Sequence, residues 1–371
     1  MMEGWKTDKL MNVVSSITTG KLDANAMVPN GQYRFYTCAK EHYYIDEYAF
    51  DDEALLISGN GEYVGYIHYY KGKFNAYQRV YVLTGFKVNV KYLQSYLNRY
   101  LPIRINKEVS QNNIPYIRLS TLSKMNIRFP ESFAEQTAIA AILSKVDEAI
   151  ASVQASISAA ERLKKSLMQN LLSGRMKTDG TLRKEDEFYV DEKFGRVPLR
   201  WRCDKFKEFA VLQRGSDLTD NDVVPGIYPV VKSNGVSISH NQYFVEPPGV
   251  VTGRSGTIGK AFYIEEKFWA HNTTLYVKDF KGNVPKYIYY LILSMDFSRY
   301  YAGTTVPTLN RNDIHKLKVA IPETFEEQQQ IAMLLDESHN IINKKKSKIA
   351  VLERLKKSLM QNLLTGKVKA K

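Results

Sequence analysis

The chain has 371 residues, of which 44% are hydrophobic and 12% aromatic; this excludes a disordered polypeptide and allows two or three domains. Its 52 Lys and Arg against 39 Asp and Glu give a formal net charge of +13, which favours nucleic acid first, and an anionic membrane surface second, as a partner. Cys38 and Cys203 form no CxxC pair, the start lacks an apolar signal-peptide core, and the longest apolar run, residues 287–295, is too short to span a bilayer; we therefore expect a soluble cytoplasmic protein.

The first element in chain order is a block of residues 1–131 that predicts a small, mostly β domain. Short alternating segments such as RVYVLTG, bounded by turns with Gly and Asn, are typical of strands, and VKYLQSYLNRYL predicts one short helix. Gly59, Gly61 and Gly65 cluster between strands and do not open a helix, so they do not predict a dinucleotide site.

Residues 132–174 predict one long helix with a hydrophobic seam. No proline interrupts it, and Gly174 stands at its end, where a helix C-cap favours glycine. Residues seven apart form two rows: Ile139, Val146, Val153, Ala160 and Leu167; then Leu143, Ile150, Ile157, Lys164 and Leu171. This heptad pattern, broken at Lys164, is typical of a coiled coil. A helix of about 40 residues spans about 60 Å, and it cannot bury such a seam alone.

Residues 175–200 form a charged connector, after which residues 201–323 predict a second, mostly β domain. Its segment TTLYVKD is typical of a strand, and VPKYIYYLILSM predicts a short helix. The two blocks share widely spaced anchors: Trp5 with Trp201, Gly59 with Gly253, Gly65 with Gly259, KFNAYQ with KFWAHN, and residues 114–127 with 306–319. Between the anchors they diverge, which predicts two recognition modules with different targets.

Residues 324–371 predict a second long helix that repeats the first at an offset of 192 positions. FPESFAEQTAIAAIL at 129–143 aligns with IPETFEEQQQIAMLL at 321–335, and ERLKKSLMQNLLSGRMK at 161–177 aligns with ERLKKSLMQNLLTGKVK at 353–369. The agreement predicts that the two helices pack on each other, in either relative direction. The alternatives are two separate core helices, or a seam that binds an unrelated partner.

No catalytic constellation stands out. Six histidines are scattered without metal-ligand spacing, so no metal site is predicted. The triplet Glu265-Glu266-Lys267 is a minimal nuclease-like signal, but its counterpart in the first block is Lys71-Gly72-Lys73, and a salt-bridge cluster explains it more simply. Two alternatives stay open: a self-contained nuclease, or a coiled-coil adaptor that binds protein or RNA.

Four features of the chain resemble the specificity (S) subunits of type I restriction–modification systems. They are the paired helix starts PESFAEQTAIAAIL and PETFEEQQQIAMLL, the paired helix ends LKKSLMQNLLSG and LKKSLMQNLLTG, the opening FGRVPLRW of the second block, and the loop GRSGTIG at 253–259. The resemblance covers essentially the whole chain. It implies an α+β fold in which two small target-recognition domains are separated by two long helices. These would form an antiparallel coiled coil with an internal pseudo-two-fold repeat.

The resemblance also implies a division of labour. Each domain would read one half of a split double-stranded DNA site, and the helices would set the gap. Two modification (M) subunits would bind the helices and supply S-adenosylmethionine-dependent methylation, and restriction (R) subunits with ATP and Mg would join for cleavage. This chain itself would hold no cofactor, no metal and no catalytic residue. The first block departs from the usual loop, with GNGEYVG where the second has GRSGTIG.

Polar side chains read base edges, while lysines and arginines hold phosphates. Candidates for DNA contact are therefore polar and basic residues on the divergent loops: Lys40, His42, Asn60, Tyr63, Lys71, Lys73, Arg79, Lys232, Ser233, Asn234, Arg254, Ser255, His271, Asn310 and Arg311. Arg254, flanked by small residues on a turn, is the strongest candidate for a guanine or phosphate contact.

The repeated LKKSLMQNLL surface predicts two equivalent docking faces, hence two partner subunits related by a pseudo-two-fold axis. The candidate partner-binding residues are Leu163, Leu167, Met168, Leu171, Leu355, Leu359, Met360 and Leu363.

Overall fold

The structure, a computed structural model, describes residues 4–108, 116–297 and 308–370. The outermost predicted boundaries, residues 1 and 371, and the starts of the repeated segments at 114–115 and 306–307 lie outside these residues. The chain divides into two compact units, one of residues 1–155 and 347–371 and one of residues 156–346. Each unit therefore combines one β-rich block with part of both long helices.

The first unit is built on one six-stranded sheet. The described strands are β1 Trp5–Lys9, β2 Val14–Thr19, β3 Tyr33–Tyr36, β4 Tyr43–Ile45, β5 Phe50–Ser58, β6 Ile67–Ala76, β7 Val80–Phe86 and β8 Asn126–Pro130, and the helices are α1 Leu10–Val13, α2 Val90–Glu108, α3 Leu119–Ser123 and the start of α4 Phe133–Leu172. The sheet order is β2-β7-β5-β6-β3-β4, and only the β3–β6 pair is parallel.

The central strand β5 is apolar on both faces because each face covers a core. Leu55 and Ile57 pack with the buried side of α2, while Ala54 and Leu56 pack in a separate cluster with Phe74. A run of consecutive buried residues is typical of a strand covered on both sides. A short antiparallel ribbon of β1 and β8 leads directly into α4.

The second unit repeats this plan with a divided sheet. Its strands are β9 Phe188–Asp191, β10 Gly195–Pro198, β11 Trp201–Lys205, β12 Val211–Arg214, β13 Tyr228–Lys232, β14 Gly235–His240, β15 Gly249–Gly253, β16 Ala261–Ile264, β17 Trp269–Ala270, β18 Thr274–Asp279 and β19 Lys318–Pro322, and its helices are α5 Pro285–Ser294, α6 Arg311–Lys316, the end of α4 and the start of α7 Phe325–Leu363. The order β12-β18-β15-β16 matches β2-β7-β5-β6, and β14-β13-β17 forms a separate sheet. The region that corresponds to the single strand β6 consists here of two strands, β16 and β17, which residues 265–268 separate.

The two long helices pack on each other, which confirms the predicted coiled coil. Every residue of the two heptad rows of α4 is buried or half-buried, and so is its equivalent 192 positions later in α7. In the first unit Lys356 Nζ lies 2.5 Å from Asp147 Oδ1, and in the second Lys346 Nζ lies 2.8 Å from Glu161 Oε1. Because early residues of one helix meet late residues of the other in both units, the helices run antiparallel.

The repeated Glu-Gln at the two helix starts has a structural reason. Gln136 donates from Nε2 to Pro130 O (2.8 Å) and accepts from Asn89 N (2.7 Å). Gln328 donates to Pro322 O (2.9 Å) and accepts from Val284 N (2.9 Å). Each buried amide thus ties the end of the β-ribbon to the start of α2 or α5.

The predicted connector is folded into the second unit. Arg183 donates to Gly174 O (2.8 Å) and to Glu327 Oε1 (2.5 Å), and Trp201 Nε1 donates to the same carboxylate (3.1 Å). Strands β9 and β10 follow as a hairpin. Among the described residues, no helix combines the length and apolarity needed to cross a bilayer.

Candidate nucleic-acid interface

The glycine loop of the first unit is held by backbone hydrogen bonds from three directions. Residues 59–66 join β5 to β6. Gly59 N donates to Arg79 O (2.8 Å), and Gly59 O accepts from Ile117 N (2.7 Å). Asn60 forms an antiparallel bridge with Tyr116. The loop is therefore fixed to the strands behind it and can present side chains in a defined direction.

The second unit holds its loop with the same device, shifted by one residue. Arg254 O accepts from Leu309 N (2.7 Å), and Ser255 forms the antiparallel bridge, here with Thr308. Asn60 therefore corresponds structurally to Ser255, whereas the alignment of the two sequences places Gly61 opposite Ser255. The shift arises because the backbone pairing, and not the glycine spacing, sets the register of each loop.

Basic candidates of the first unit lie against aromatic rings. Lys40 Nζ is 5.1 Å from the centroid of the Tyr63 ring, and Lys73 Nζ is 4.5 Å from that of Tyr48. A cation over an aromatic face is attracted by the ring quadrupole, which helps to hold these long side chains in place. Lys71 and Lys73 are exposed on β6.

His42 and Arg79 occupy different places in this unit. The His42 ring lies 5.3 Å from the Tyr44 ring and 6.0 Å from the Tyr36 ring, and burial, then the nearby Arg34 charge, lower the pKa of His42. Arg79 is exposed and contributes its backbone carbonyl to the loop.

Sequence reasoning missed a basic and aromatic group on β3 and β6. The Arg34 guanidinium lies 4.6 Å from the centroid of the Tyr70 ring, and Arg34 Nη1 donates to Tyr36 Oη at 3.5 Å. His68 packs on the same Tyr36 ring, and burial lowers its pKa. The signal was present in the alternating YRFY segment, where a charged residue interrupts three aromatics.

In the second unit, four predicted residues meet around Thr273, a residue that sequence reasoning missed. Thr273 O accepts from the backbone N–H of Arg254 (2.8 Å) and of Ser255 (3.1 Å). Thr273 Oγ1 accepts from Ser233 N (3.3 Å) and lies 2.9 Å from His271 Nδ1. Burial, then the nearby Lys232 charge, lower the pKa of His271.

Two further candidates lie on the β13–β14 turn. Lys232 is half-buried and its Nζ is 4.0 Å from Asp220 Oδ1, which is a weak surface pairing. Asn234 is exposed.

Two arginines predicted from sequence, Arg254 and Arg311, share one small cleft. The cleft has a volume of about 320 Å³, and its lining residues are Arg214, Arg254, Leu275, Thr308, Leu309, Asn310 and Arg311. Burial, then the neighbouring Arg214 charge, lower the pKa of the Arg254 guanidinium. Arg214 was missed because it ends an unremarkable strand, β12, and only tertiary pairing brings it here.

The predicted partner-binding residues divide into two groups. Leu163 and Leu355 are 59% and 46% exposed, and they occupy equivalent positions of the repeat. The others contribute, fully or partly buried, to the cores of this chain: Leu167, Met168, Leu171, Leu359, Met360 and Leu363. Their docking role stays a prediction.

The acidic triplet lies in the interruption between β16 and β17. Lys267 Nζ donates to Tyr243 Oη at 2.8 Å and is 3.3 Å from Glu246 Oε1. Among the described residues, no group of three or more His, Cys, Asp or Glu side chains is arranged to hold a metal ion.

Comparisons with known proteins agree with the twofold plan. A family model described as the type I restriction modification DNA specificity domain matches residues 2–162 and 199–354. The Type I restriction enzyme EcoDI specificity subunit of Escherichia coli is 37% identical over 186 residues, which are 49% of this chain and 39% of that protein. The MjaVIII specificity subunit of Methanocaldococcus jannaschii is 25% identical over 297 residues, 72% of this chain and 68% of that protein.

The fold has solved counterparts. The S subunit of a type I restriction-modification system from M. genitalium superposes with a TM-score of 0.67 at 16% identity, covering 97% of this chain and 96% of that one. A chain from a study of complex assembly and conformational transition in a type I R-M system gives a TM-score of 0.57 at 12% identity, with 98% of each chain covered.

Since the family model spans both halves, the chain belongs to the type I restriction-modification DNA specificity family. The two matches lie in the two halves of the chain, and the aligned residues span about two fifths of the length of the EcoDI relative. The predicted family and fold are thus confirmed.

Proposed function

We propose that each β-rich domain of this chain reads one half of a bipartite double-stranded DNA site and that the antiparallel helices set the unread gap. The observation that carries the proposal is the repeated loop. Both units fix it by the same backbone contacts, yet they furnish it with different side chains. Two equally anchored but dissimilar surfaces suit two dissimilar base sequences, because base edges are distinguished by side-chain chemistry.

The chain acts as a non-catalytic subunit. Two M subunits bind the repeated helix surfaces and supply S-adenosylmethionine and the methyl-transfer chemistry, and R subunits bring ATP, Mg and cleavage. Support comes from the equivalent exposed positions Leu163 and Leu355, one on each helix. A surface that occurs twice in one chain can bind two copies of the same partner.

The gap-setting role is tested by lengthening both helices by one heptad. Residues 150–156 of α4 and residues 346–352 of α7 are duplicated, which preserves the seam because the hydrophobic period is seven. Seven residues add about 10 Å to a helix, which equals about three base pairs at about 3.4 Å each.

Methylation is then mapped across the genome of a host that carries this gene and its M partner. We expect both half-sequences to be retained and the gap to grow by about three base pairs. A matched control with the same seven residues inserted in α4 alone breaks the seam pairing and lowers methylation. An unchanged gap in the double insertion contradicts the proposal.

A further inference from the structure

We infer that the cleft formed by Arg214, Arg254 and Arg311 is a DNA backbone phosphate site that anchors the second unit on the duplex without reading a base. The inference rests on the proposed function, since it assumes that this unit binds DNA. The phosphate group is assigned to this cleft, and Arg214, which no sequence pattern marked, belongs to its lining.

Three separate segments bring the arginines together. Arg214 ends β12 and pairs with Leu275 of β18. Arg254 is the first residue after β15, and its backbone is fixed by Thr273 and Leu309. Arg311 begins α6, directly after the N-cap residue Asn310. Since each backbone is held by its own element, the fold itself places the three side chains at the cleft.

The arginines have neutral neighbours. Arg254 Nη1 donates to Asn272 O at 3.4 Å, and Arg311 Nη1 donates to Gln213 Oε1 at 3.5 Å. None of the described residues that line the cleft is acidic. Arg214 and Arg311 are exposed and Arg254 is half-buried, so solvent screens part of the repulsion among these like charges. An anion in the cleft relieves the remaining repulsion, which lowers the free energy of the bound state.

The arginines of the cleft also act on neighbouring titratable groups. The pKa of Arg254 is lowered by burial and by Arg214, and the pKa of His315 is lowered by burial and then by Arg311 and Lys207. Burial is the first cause of both shifts, and two of the residues that add to it, Arg214 and Arg311, line the cleft.

In the part of the first unit that the structure describes, the equivalent positions carry no arginine, although the framework is the same. Thr19 on β2 occupies the strand position of Arg214, Gly59 makes the backbone contact made by Arg254, and Leu119 begins α3 as Arg311 begins α6. None of these three is charged. The arginine cleft is therefore a property of the second unit and not a requirement of the scaffold.

The number of arginines distinguishes phosphate from a base. A guanine edge offers two acceptors, O6 and N7, which one bidentate arginine fills. A phosphate carries a full negative charge and accepts hydrogen bonds from several directions, so a cleft lined by three arginines suits it.

The test measures binding of the full chain, assembled with its M partners, to two duplexes of equal length. One carries the sequence that the complex methylates, and the other carries a scrambled sequence. The variants are Arg214→Gln, Arg254→Gln and Arg311→Gln, singly and combined, at several salt concentrations. Lys278→Gln is the matched control, since Lys278 is exposed on β18 and does not line the cleft. Arg254→Lys keeps the positive charge but removes the planar guanidinium group that can donate two parallel hydrogen bonds.

For the combined variant we expect the slope of log K against log salt to become shallower by about 0.9, the value for one phosphate. Affinity falls by the same factor on both duplexes, and the methylated sequence stays the same. Arg254→Lys keeps most of the wild-type slope. Thermal unfolding of the combined variant is no lower than that of the wild type, because a charge repulsion has been removed.

Three results overturn the inference. One is an unchanged salt slope while the wild type binds DNA, which leaves the proposed function standing. Another is a relaxed or altered half-sequence in Arg254→Gln or Arg254→Lys, which identifies a base contact instead. A wild-type complex that binds neither duplex overturns both the inference and the proposed function.

Discussion

The two units of this chain share a framework but differ in how they hold their basic groups. In the first unit, the sheet is continuous, and Arg34, Lys40 and Lys73 lie against tyrosine rings on its strands and loops. In the second unit, the sheet is divided at residues 265–268 and arginines converge on a cleft. The comparison teaches that the duplicated scaffold fixes where the loops stand, whereas the surface chemistry of each unit has changed independently.

The long helices show the same kind of difference at one repeated lysine. Lys356 forms an ion pair with Asp147 in the first unit. Its equivalent in the second unit, Lys164, lies 3.1 Å from His339 Nδ1, and burial lowers the pKa of Lys164. The repeat has therefore kept the polar position in the seam and exchanged its partner.

The largest expected effect comes from Phe74→Ala and Phe268→Ala. Both side chains are fully buried, and they occupy equivalent positions in the two units. Each truncation should cost about 3–5 kcal/mol of unfolding free energy, because a large cavity is left behind. Hydrogen exchange read out separately for each unit is the measurement, and loss of protection should be confined to the altered unit. Equal protection in both units contradicts the equivalence of the two cores.

A smaller effect is expected from Gln136→Ala and Gln328→Ala. Each change leaves a buried backbone N–H and a carbonyl without their partner, which should cost about 1–3 kcal/mol per unsatisfied group. Gln136→Glu and Gln328→Glu are the matched variants, since a carboxylate still accepts from Asn89 N or Val284 N. The first variant loses the donor to Pro130 O, and the second loses the donors to Pro322 O and Asn283 Oδ1. Chemical denaturation should rank the wild type first, Glu second and Ala last; any other order argues against the role of this amide.

His339→Asp should make the second seam resemble the first. The new carboxylate can pair with Lys164 as Asp147 pairs with Lys356. A half-exposed pair contributes about 0.5 kcal/mol, so the midpoint of unfolding at neutral pH should rise slightly. The control is Asp147→His, which should lower it by a similar amount. A drop for both variants indicates that the two positions are not interchangeable.

The smallest effect is a pH dependence of the second unit. Burial, then Lys164, lower the pKa of His339, so the folded state binds this proton less readily than the unfolded chain, whose histidine has a pKa of about 6.5. The corresponding stability is present above about pH 6.5 and is lost as the pH falls through the lowered folded value. His339→Gln should flatten the slope of stability against pH in this range. An identical slope in the variant means that other histidines carry it.

The helices could be predicted from sequence, but much of the recognition surface could not. Heptad spacing is a local pattern, so it marked the seam of the first helix with its break at Lys164, and the repeat of the sequence marked the second helix. The interruption between β16 and β17 depends on which strands pair, and pairing is set by distant residues. Arg214 likewise enters the cleft through pairing of β12 with β18, which no local pattern announces.

The docking residues illustrate a different limit. The segment LKKSLMQNLL shows several apolar residues in both copies, and sequence alone cannot tell which face meets the chain's own core. In the structure Met360 and Leu363 are buried with the first β-ribbon, and Leu171 with the second, while Leu163 and Leu355 stay exposed. Helical periodicity indicates that one face is buried, but tertiary packing decides what covers it.

The way both long helices are shared out between the units has a consequence for synthesis on the ribosome. Residues 1–155 emerge first, yet Met360, Leu363 and Leu364 belong to their core. The intervening residues 156–346 must be translated before that core can close, a delay of roughly 10–40 s at about 5–20 residues per second. During this interval the apolar stripe of the first helix, around Ile139 and Leu143, is not yet covered by the second helix. A chaperone that shields this stripe should raise the yield of folded protein.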